Sequence, residues 1–254
     1  GESFLSDTMG RDHVTQVDMA FDSENRIVGM RVDTVANMGA YLSNFAPFIP
    51  TLAAIKVMPG VYDIKSLYAR VRGVFTHTVP VDAYRGAGRP ESIYMIERLM
   101  DKAAQELGVD RIQLRRKNFI SSKLMPFTTT ADEIYDSGDF DRVINMVTER
   151  ANWQTFGDRR AKAKDLGRRR GIGLCYYIES TMGDPGEAAE VRFEPDGTVS
   201  LLVGTQSNGQ GHETAYAQIT AELLGVQPSQ VKVIQGDTDL VAQGKGTGGS
   251  WSIP

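Results

Sequence analysis

Cysteine is almost absent: Cys175 is the only one in 254 residues. A single thiol excludes an internal disulfide framework and suits a reducing compartment. Set in the apolar run 172–178, it is expected to be a small buried hydrophobe. Histidine is nearly as scarce, with only His13, His77 and His212. None of these lies at metal-ligand spacing, so zinc or iron held by side chains is not expected. Excess positive charge is missing too. A net charge of −4 creates no field to draw the chain onto nucleic acid or an anionic membrane. The local run Arg168-Arg169-Arg170 reads as a solvated linker face. No apolar stretch approaches the roughly 18 residues of a membrane helix. The start, Gly1-Glu2-Ser3-Phe4, lacks the basic and apolar regions of a signal peptide. No Gly-x-Ser-x-Gly elbow is present.

What remains is an ordinary globular composition, 41% hydrophobic and 24% charged, expected in the cytoplasm and long enough for one large or two smaller domains. Both ends read as cut. There is no initiator Met, and Trp251-Ser252-Ile253-Pro254 follows a Gly-rich loop with no closing element. The chain is therefore expected to be an internal piece of something longer.

Val17, Met19 and Phe21 alternate with polar or small residues, the period-2 pattern of a half-buried strand. A turn at Asp22–Asn25 returns it along Ile27–Val35. Residues 61–75 read as extended. Pro90 opens a helix whose apolar face is Ile93, Ile96, Met100, Ala103 and Leu107, ended by Gly108. Asp110 with Gln113 resembles a capping box for a second helix through Arg116. Polar residues 120–137 form the candidate internal boundary. A helix over 139–153 follows, then a buried strand over 171–178. Next come a hairpin with arms 189–194 and 198–204 turned at Pro195-Asp196-Gly197, a helix over 213–224 and a strand over 231–235. Irregular alternation of strands and helices favours α+β, with mixed sheets and packed helices, over a doubly wound sheet.

Three loops have the composition to carry chemistry. Ala83-Tyr84-Arg85-Gly86-Ala87-Gly88-Arg89-Pro90-Glu91 enters a helix; its glycines permit close backbone approach and its arginines suit an oxyanion. A helix entry whose arginines pair with core carboxylates is an equal reading. The second loop, Gly204 to Thr214, also runs from strand to helix. Its amides Gln206, Asn208 and Gln210 can pair with a heterocycle edge. Gly209-Gln210-Gly211 is no dinucleotide fingerprint, since no third glycine follows at the required spacing. His212 reads as a capping or packing residue ahead of an acid–base. The third loop leads from Gly236-Asp237-Thr238-Asp239 to Gly244-Lys245-Gly246-Thr247-Gly248-Gly249-Ser250, a run able to form an anion-binding nest. It is not a P-loop, because Lys245 precedes glycine. Three such loops favour a shared polyanionic ligand over three connectors.

Taken in order, these segments resemble the large subunit of molybdenum hydroxylases: xanthine dehydrogenases, aldehyde oxidases and carbon monoxide dehydrogenase-like proteins of the form II branch. The resemblance spans the chain, from residues 4–13 through 83–91, 114–119 (Leu-Arg-Arg-Lys-Asn-Phe), 135–139 and 209–214 to 236–239. It implies that residues 1–121 are part of a first molybdenum-cofactor-binding domain and 122–254 the first part of a second. It implies molybdenum held by a pyranopterin, in the cytosine dinucleotide form, rather than by side chains. The implied cofactor contacts are Arg85, Gly86, Ala87, Gly209, Gln210, Gly211, Thr247, Gly248, Gly249 and Ser250. Ala87, Ile178 and Glu179 would line the substrate pocket.

The implied reaction is hydroxylation of an aldehyde or N-heterocycle with water-derived oxygen. Electrons would leave through an iron–sulfur (2Fe–2S) small subunit and an FAD medium subunit, in a homodimer of the heterotrimer. The family's general-base glutamate would lie beyond residue 254, leaving this segment inactive alone. Ala87 stands where xanthine-type members stack a phenylalanine on the purine, which argues against xanthine. Gly86 stands where copper-containing carbon monoxide dehydrogenases have cysteine, so a soft ligand for Cu(I) is missing. The alternatives are a non-catalytic scaffold or binding module derived from this family, and a nucleotide- or phosphate-binding enzyme outside it.

Overall fold

The computed structural model describes residues 1–181, 186–250 and 252–253. Trp251 and Pro254, at the end read as cut, lie outside the described residues. The chain divides into two units, Gly1–Ser180 and Thr181–Pro254.

In the first unit a helical turn, α1 (Ser3–Ser6), precedes the hairpin of β1 (His13–Phe21) and β2 (Ile27–Gly39). The Asp22 carboxylate closes the turn, accepting from Glu24 N at 2.9 Å and Arg26 N at 2.8 Å. The hairpin sets Val17 opposite Val32 and Met19 opposite Met30. A third strand, β3 (Leu67–Phe75), pairs parallel to β2 with Leu67 opposite Met30. The stretch expected to be extended from residue 61 becomes strand only at Leu67. Before that, Val61, Tyr62 and Ile64 are core residues, and Tyr62 makes an isolated bridge to Phe119.

Helix α2 (Arg89–Glu106) follows the expected pattern: Ile93, Ile96, Met100 and Ala103 are buried, while Leu107 lies beyond the last turn, 40% exposed. Each fully buried aliphatic side chain on that face contributes about 1.5–3 kcal/mol. Asp110 caps α3 (Arg111–Asn118), its carboxylate accepting from Ile112 N and Gln113 N. Residues 120–137 contain the two-residue pairing of β4 (Phe127–Thr128) with β5 (Ile134–Tyr135). They belong to the first unit, where the Tyr135 hydroxyl donates to Gly60 O at 2.8 Å.

Asp139 caps α4 (Phe140–Arg150). Of that helix's apolar residues, Ile144 is buried whereas Val143, Met146 and Val147 are exposed. A further helix, α5 (Phe156–Asp165), was not expected. It buries no residue and alternates basic and small residues, so it carries no apolar period.

The expected buried strand at 171–178 is a correction. The segment pairs in no sheet, yet it keeps a strand's alternation. Tyr176 is buried and Ile172, Leu174 and Ile178 are half-buried, while Gly173, Cys175, Tyr177 and Glu179 face outward. Cys175, expected inside, is exposed for that reason. The strap is held by side chains. Tyr176 N donates to Glu97 Oε2 at 3.0 Å and the Tyr176 hydroxyl to Phe140 O at 2.6 Å.

The second unit repeats the hairpin-plus-parallel-strand arrangement. Here β6 (Ala189–Phe193) and β7 (Val199–Val203) are antiparallel, and β8 (Val231–Gln235) returns parallel to β7 after the crossover helix α6 (His212–Leu224). The middle strand is buried throughout, and β6 is exposed throughout. Gly225 ends α6 in the left-handed region, φ 70°.

Candidate cofactor-binding loops

In the first unit, residues 84–88 form a tight turn into α2. Ala87 N donates to Tyr84 O at 2.7 Å and Arg89 N to Gly86 O at 3.2 Å. Gly86 sits at φ 89°, where an added Cβ would lie 2.8 Å from Pro90 Cγ and 3.4 Å from the Tyr177 hydroxyl. Gly88, at φ 87°, is the N-cap of α2, and no side chain caps the helix. A Cβ there would meet Ile49 O at 2.5 Å, so the backbone runs directly against the π-helical turn Ile49–Ala53.

Arg89 ties this turn to the strap. Its Nη1 donates to Ala87 O at 3.1 Å and its Nη2 to Ser180 O at 2.9 Å. Its Nε lies 3.2 Å from Glu179 Oε1, an ion pair without hydrogen-bond alignment. The other oxygen, Glu179 Oε2, accepts from the Tyr177 hydroxyl at 2.7 Å. Partial burial, followed by that hydrogen bond, pushes the Tyr177 phenol up to about 12, so it stays a donor at neutral pH. Arg85, Gly86, Ala87, Ile178 and Glu179, up to 94 positions apart in sequence, thus share one neighbourhood through Arg89.

Arg11 had no role assigned from the sequence. Its Nη2 donates to Arg85 O, its guanidinium lies 4.8 Å from the centre of the Tyr84 ring, and its Nε is 3.6 Å from Glu91 Oε1. The only sequence signal for it is its place in the Gly10-Arg11-Asp12-His13 segment. Burial holds the neighbouring His13 below the usual imidazole value, with Glu91 and Asp12 opposing the shift.

In the second unit, Gly211 (φ 81°) is the N-cap of α6, again without a side-chain cap. Gly209 and Gly211 have open space where a Cβ would stand. Gln210 turns back, its Oε1 accepting from Asn208 N. His212 is a packing residue, 5% exposed and with its ring 5.1 Å from that of Tyr216. The second and third loops meet through Thr247, whose hydroxyl accepts from Gln206 N at 2.8 Å and donates to Gln206 O at 2.5 Å. Gly204 and Gly244 press backbone to backbone; a Cβ on Gly204 would lie 2.3 Å from Gly244 Cα. Gln235, at the end of β8, was not singled out from sequence. It accepts from Ser207 N at 3.0 Å and donates to Glu213 in the first turn of α6. Gly248, Gly249 and Ser250 continue from Thr247, whose side chain bonds the Gln206 backbone, while the Gln235 side chain bonds Ser207 N.

Residues 1–119 match the family of one molybdopterin cofactor-binding domain and residues 146–254 that of a second. The chain belongs to the molybdopterin-binding large-subunit family of xanthine and carbon monoxide dehydrogenases. Within it, the chain is 32% identical to the 6-hydroxypseudooxynicotine dehydrogenase complex subunit gamma of Paenarthrobacter nicotinovorans, over 99% of this chain and 32% of that protein. It is also 32% identical to the carbon monoxide dehydrogenase large chain of Hydrogenophaga pseudoflava, over 100% of this chain and 34% of that one. Quinoline 2-oxidoreductase from Pseudomonas putida 86 superposes with a TM-score of 0.90 at 30% identity, covering 98% of this chain and 33% of its own. The chain spans about a third of the length of these molybdopterin-binding relatives. The α+β architecture of small mixed sheets and packed helices is the one these relatives share. Among the described residues no cluster of His, Cys, Asp and Glu could hold a metal, and no helix is long and apolar enough to cross a membrane.

Proposed function

We propose that this chain supplies part of the cofactor site of a molybdenum hydroxylase that acts on an aldehyde or N-heterocycle. The observation carrying this reading is the entry to α6, which begins at left-handed Gly211 with no side-chain cap and with open space at Gly209 and Gly211. The N–H groups of a helix's first turn have no partner inside the helix and carry its positive end. Left uncapped after a glycine turn, they fit the phosphate and other anionic oxygens of a pyranopterin dinucleotide. At α2 the first-turn donors are fewer, since Arg89 N is taken by Gly86 O and residue 90 is proline.

Within that reading Arg85, Gly86 and Ala87 would face the reactive end of the cofactor. Gly209, Gln210, Gly211, Thr247, Gly248, Gly249 and Ser250 would hold the pterin and its dinucleotide, taken as the cytosine form. Ala87, Ile178 and Glu179 line the substrate pocket. Residues 1–121 and 122–254 fall in the first and second cofactor-binding domains. The cofactor supplies the two-electron oxidation: RH + H2O becomes ROH with release of two protons and two electrons. The electrons would pass to 2Fe–2S and FAD partner subunits in the cytoplasm, in a dimer of the three-subunit unit. The chain's own work is binding, orientation and shaping of the pocket.

Two positions narrow the substrate. Ala87 offers no aromatic platform for a purine. Gly86 carries no thiol, and even a Cβ there would lie 2.8 Å from Pro90 Cγ, so the soft ligand that copper-dependent carbon monoxide oxidation needs is missing.

The test is molybdenum and pterin content of the parent polypeptide purified with its partner subunits. Near-stoichiometric molybdenum, with turnover of aldehydes or small N-heterocycles, is expected. A well-folded parent without metal, expressed alongside cofactor biosynthesis, would replace this reading with a scaffold.

A further inference from the structure

The turn before α2 is polarised. Each of its carbonyls is taken within the chain: Tyr84 O by Ala87 N, Arg85 O by Arg11, Gly86 O by Arg89 N and Ala87 O by Arg89 Nη1. The N–H groups of Arg85 and Gly86 find no partner among the described residues. A turn whose carbonyls are all engaged on one side and whose successive N–H groups are unused is a set of donors awaiting an acceptor.

We propose that Arg11 and Arg89 are positioning residues, a pair of guanidinium clamps that hold the carbonyls of this turn so that the Arg85 and Gly86 N–H groups are presented to the cofactor. Two elements far apart in sequence converge on five residues: Arg11 precedes β1, and Arg89 opens α2. A guanidinium suits this task because its donors form a rigid fork. Arg89 uses two arms of the fork on Ala87 O and Ser180 O while its Nε faces Glu179. It therefore fixes the turn and the Ile178–Glu179 wall at one spacing. Arg11 is braced by the Tyr84 ring and by Glu91, whose carboxylate oxygens are buried without a hydrogen bond.

This inference deepens the cofactor reading and rests on it for the identity of what the N–H groups bind. The clamp itself can be measured without the cofactor. The parent polypeptide with its partner subunits would be compared with Arg11→Lys and Arg89→Lys, which keep the charge and lose the fork. Amide hydrogen exchange is the first readout. Arg11→Lys is expected to raise exchange about tenfold within residues 84–88 only, at the hydrogen-bonded Ala87 N–H. Arg89→Lys is expected to raise it over 84–88 and 176–181 together, with the 93–104 core of α2 unchanged. Turnover is the second. Displacement of a positioned group by about 1 Å can lower rate on the order of a hundredfold. Both variants should lose kcat by ten- to a hundredfold, and Arg89→Lys should also raise KM because it moves the pocket wall.

Unchanged exchange over 84–88 in both variants overturns the clamp, whatever the metal content. If Arg89→Lys fails to fold, Arg11→Lys decides by the same readout, since its side chain is 31% exposed and peripheral to the core. A wild-type parent lacking molybdenum but showing the expected exchange pattern would sink the cofactor reading and leave the clamp standing.

Discussion

At the scale of single residues, the glycines of the candidate loops differ in what confines them. Gly86 and Gly88 have both positive φ and a crowded Cβ position, against a proline ring at the first and backbone at the second. Gly209 has positive φ alone, with open space around it. A non-glycine residue held in the left-handed region costs roughly 1–2 kcal/mol, and a clash with backbone adds to that because backbone cannot move aside. Alanine substitutions in the parent polypeptide should therefore destabilise in the order Gly88, then Gly86, then Gly209. Thermal melts would rank them. A Gly209→Ala loss equal to that of Gly88→Ala would contradict the close approach to the Ile49–Ala53 turn.

At the scale of elements, α2, α3 and the strap are joined by a buried ionic network. Arg115 is fully buried and Glu97 is 4% exposed. Arg115 Nε donates to Glu97 Oε2 at 3.0 Å and its Nη1 to Asp101 at 2.9 Å. The Tyr62 hydroxyl donates to Glu97 Oε1, and Tyr176 N to Oε2. Burial first, then the Glu97 charge, pushes the Tyr62 phenol well above its ordinary value, so it remains a donor. Glu97 is thus an acceptor on both oxygens. Glutamine would turn an NH2 toward donors, leaving the Arg115 charge poorly compensated. Glu97→Gln should lower stability by about 3–5 kcal/mol, the usual result of breaking a buried pair. Replacing both partners with apolar residues should cost less than the sum of the single changes, a coupling that a double-mutant cycle in urea would measure. Additive losses would mean that the network is not a unit.

At the scale of the whole molecule, much apolar surface is left outside the two units. Val143, Met146 and Val147 on α4, Phe193 on β6 and Leu223 on α6 are all exposed, the last by 80%. Patches of this kind drive association when nothing covers them. A polypeptide limited to residues 1–254, expressed alone, should self-associate in sedimentation experiments and melt without a sharp transition. A monomer with one cooperative, high-temperature transition would show an autonomy that this surface does not predict.

Sequence alone determined most of the elements and their kind. Strands β1 and β2, helices α2, α3, α4 and α6 and the hairpin at Pro195–Gly197 were legible because an amphipathic period, a cap or a turn residue is local information. The loop motifs were legible too, and with them the family. Where the signal was ambiguous, the tertiary structure decided. The apolar run 172–178 has a strand's alternation in both settings, but whether it meets a strand partner or a Glu97 carboxylate depends on residues nearly eighty positions away. Exposure of Cys175 follows from that choice. Likewise, Arg11 and Arg89 could be seen as charges in the sequence but not as holders of Arg85 O and Ala87 O. Hydrogen-bond partners at long sequence separation are set by the packing of β1, α2 and the strap against one core, and no local pattern encodes them.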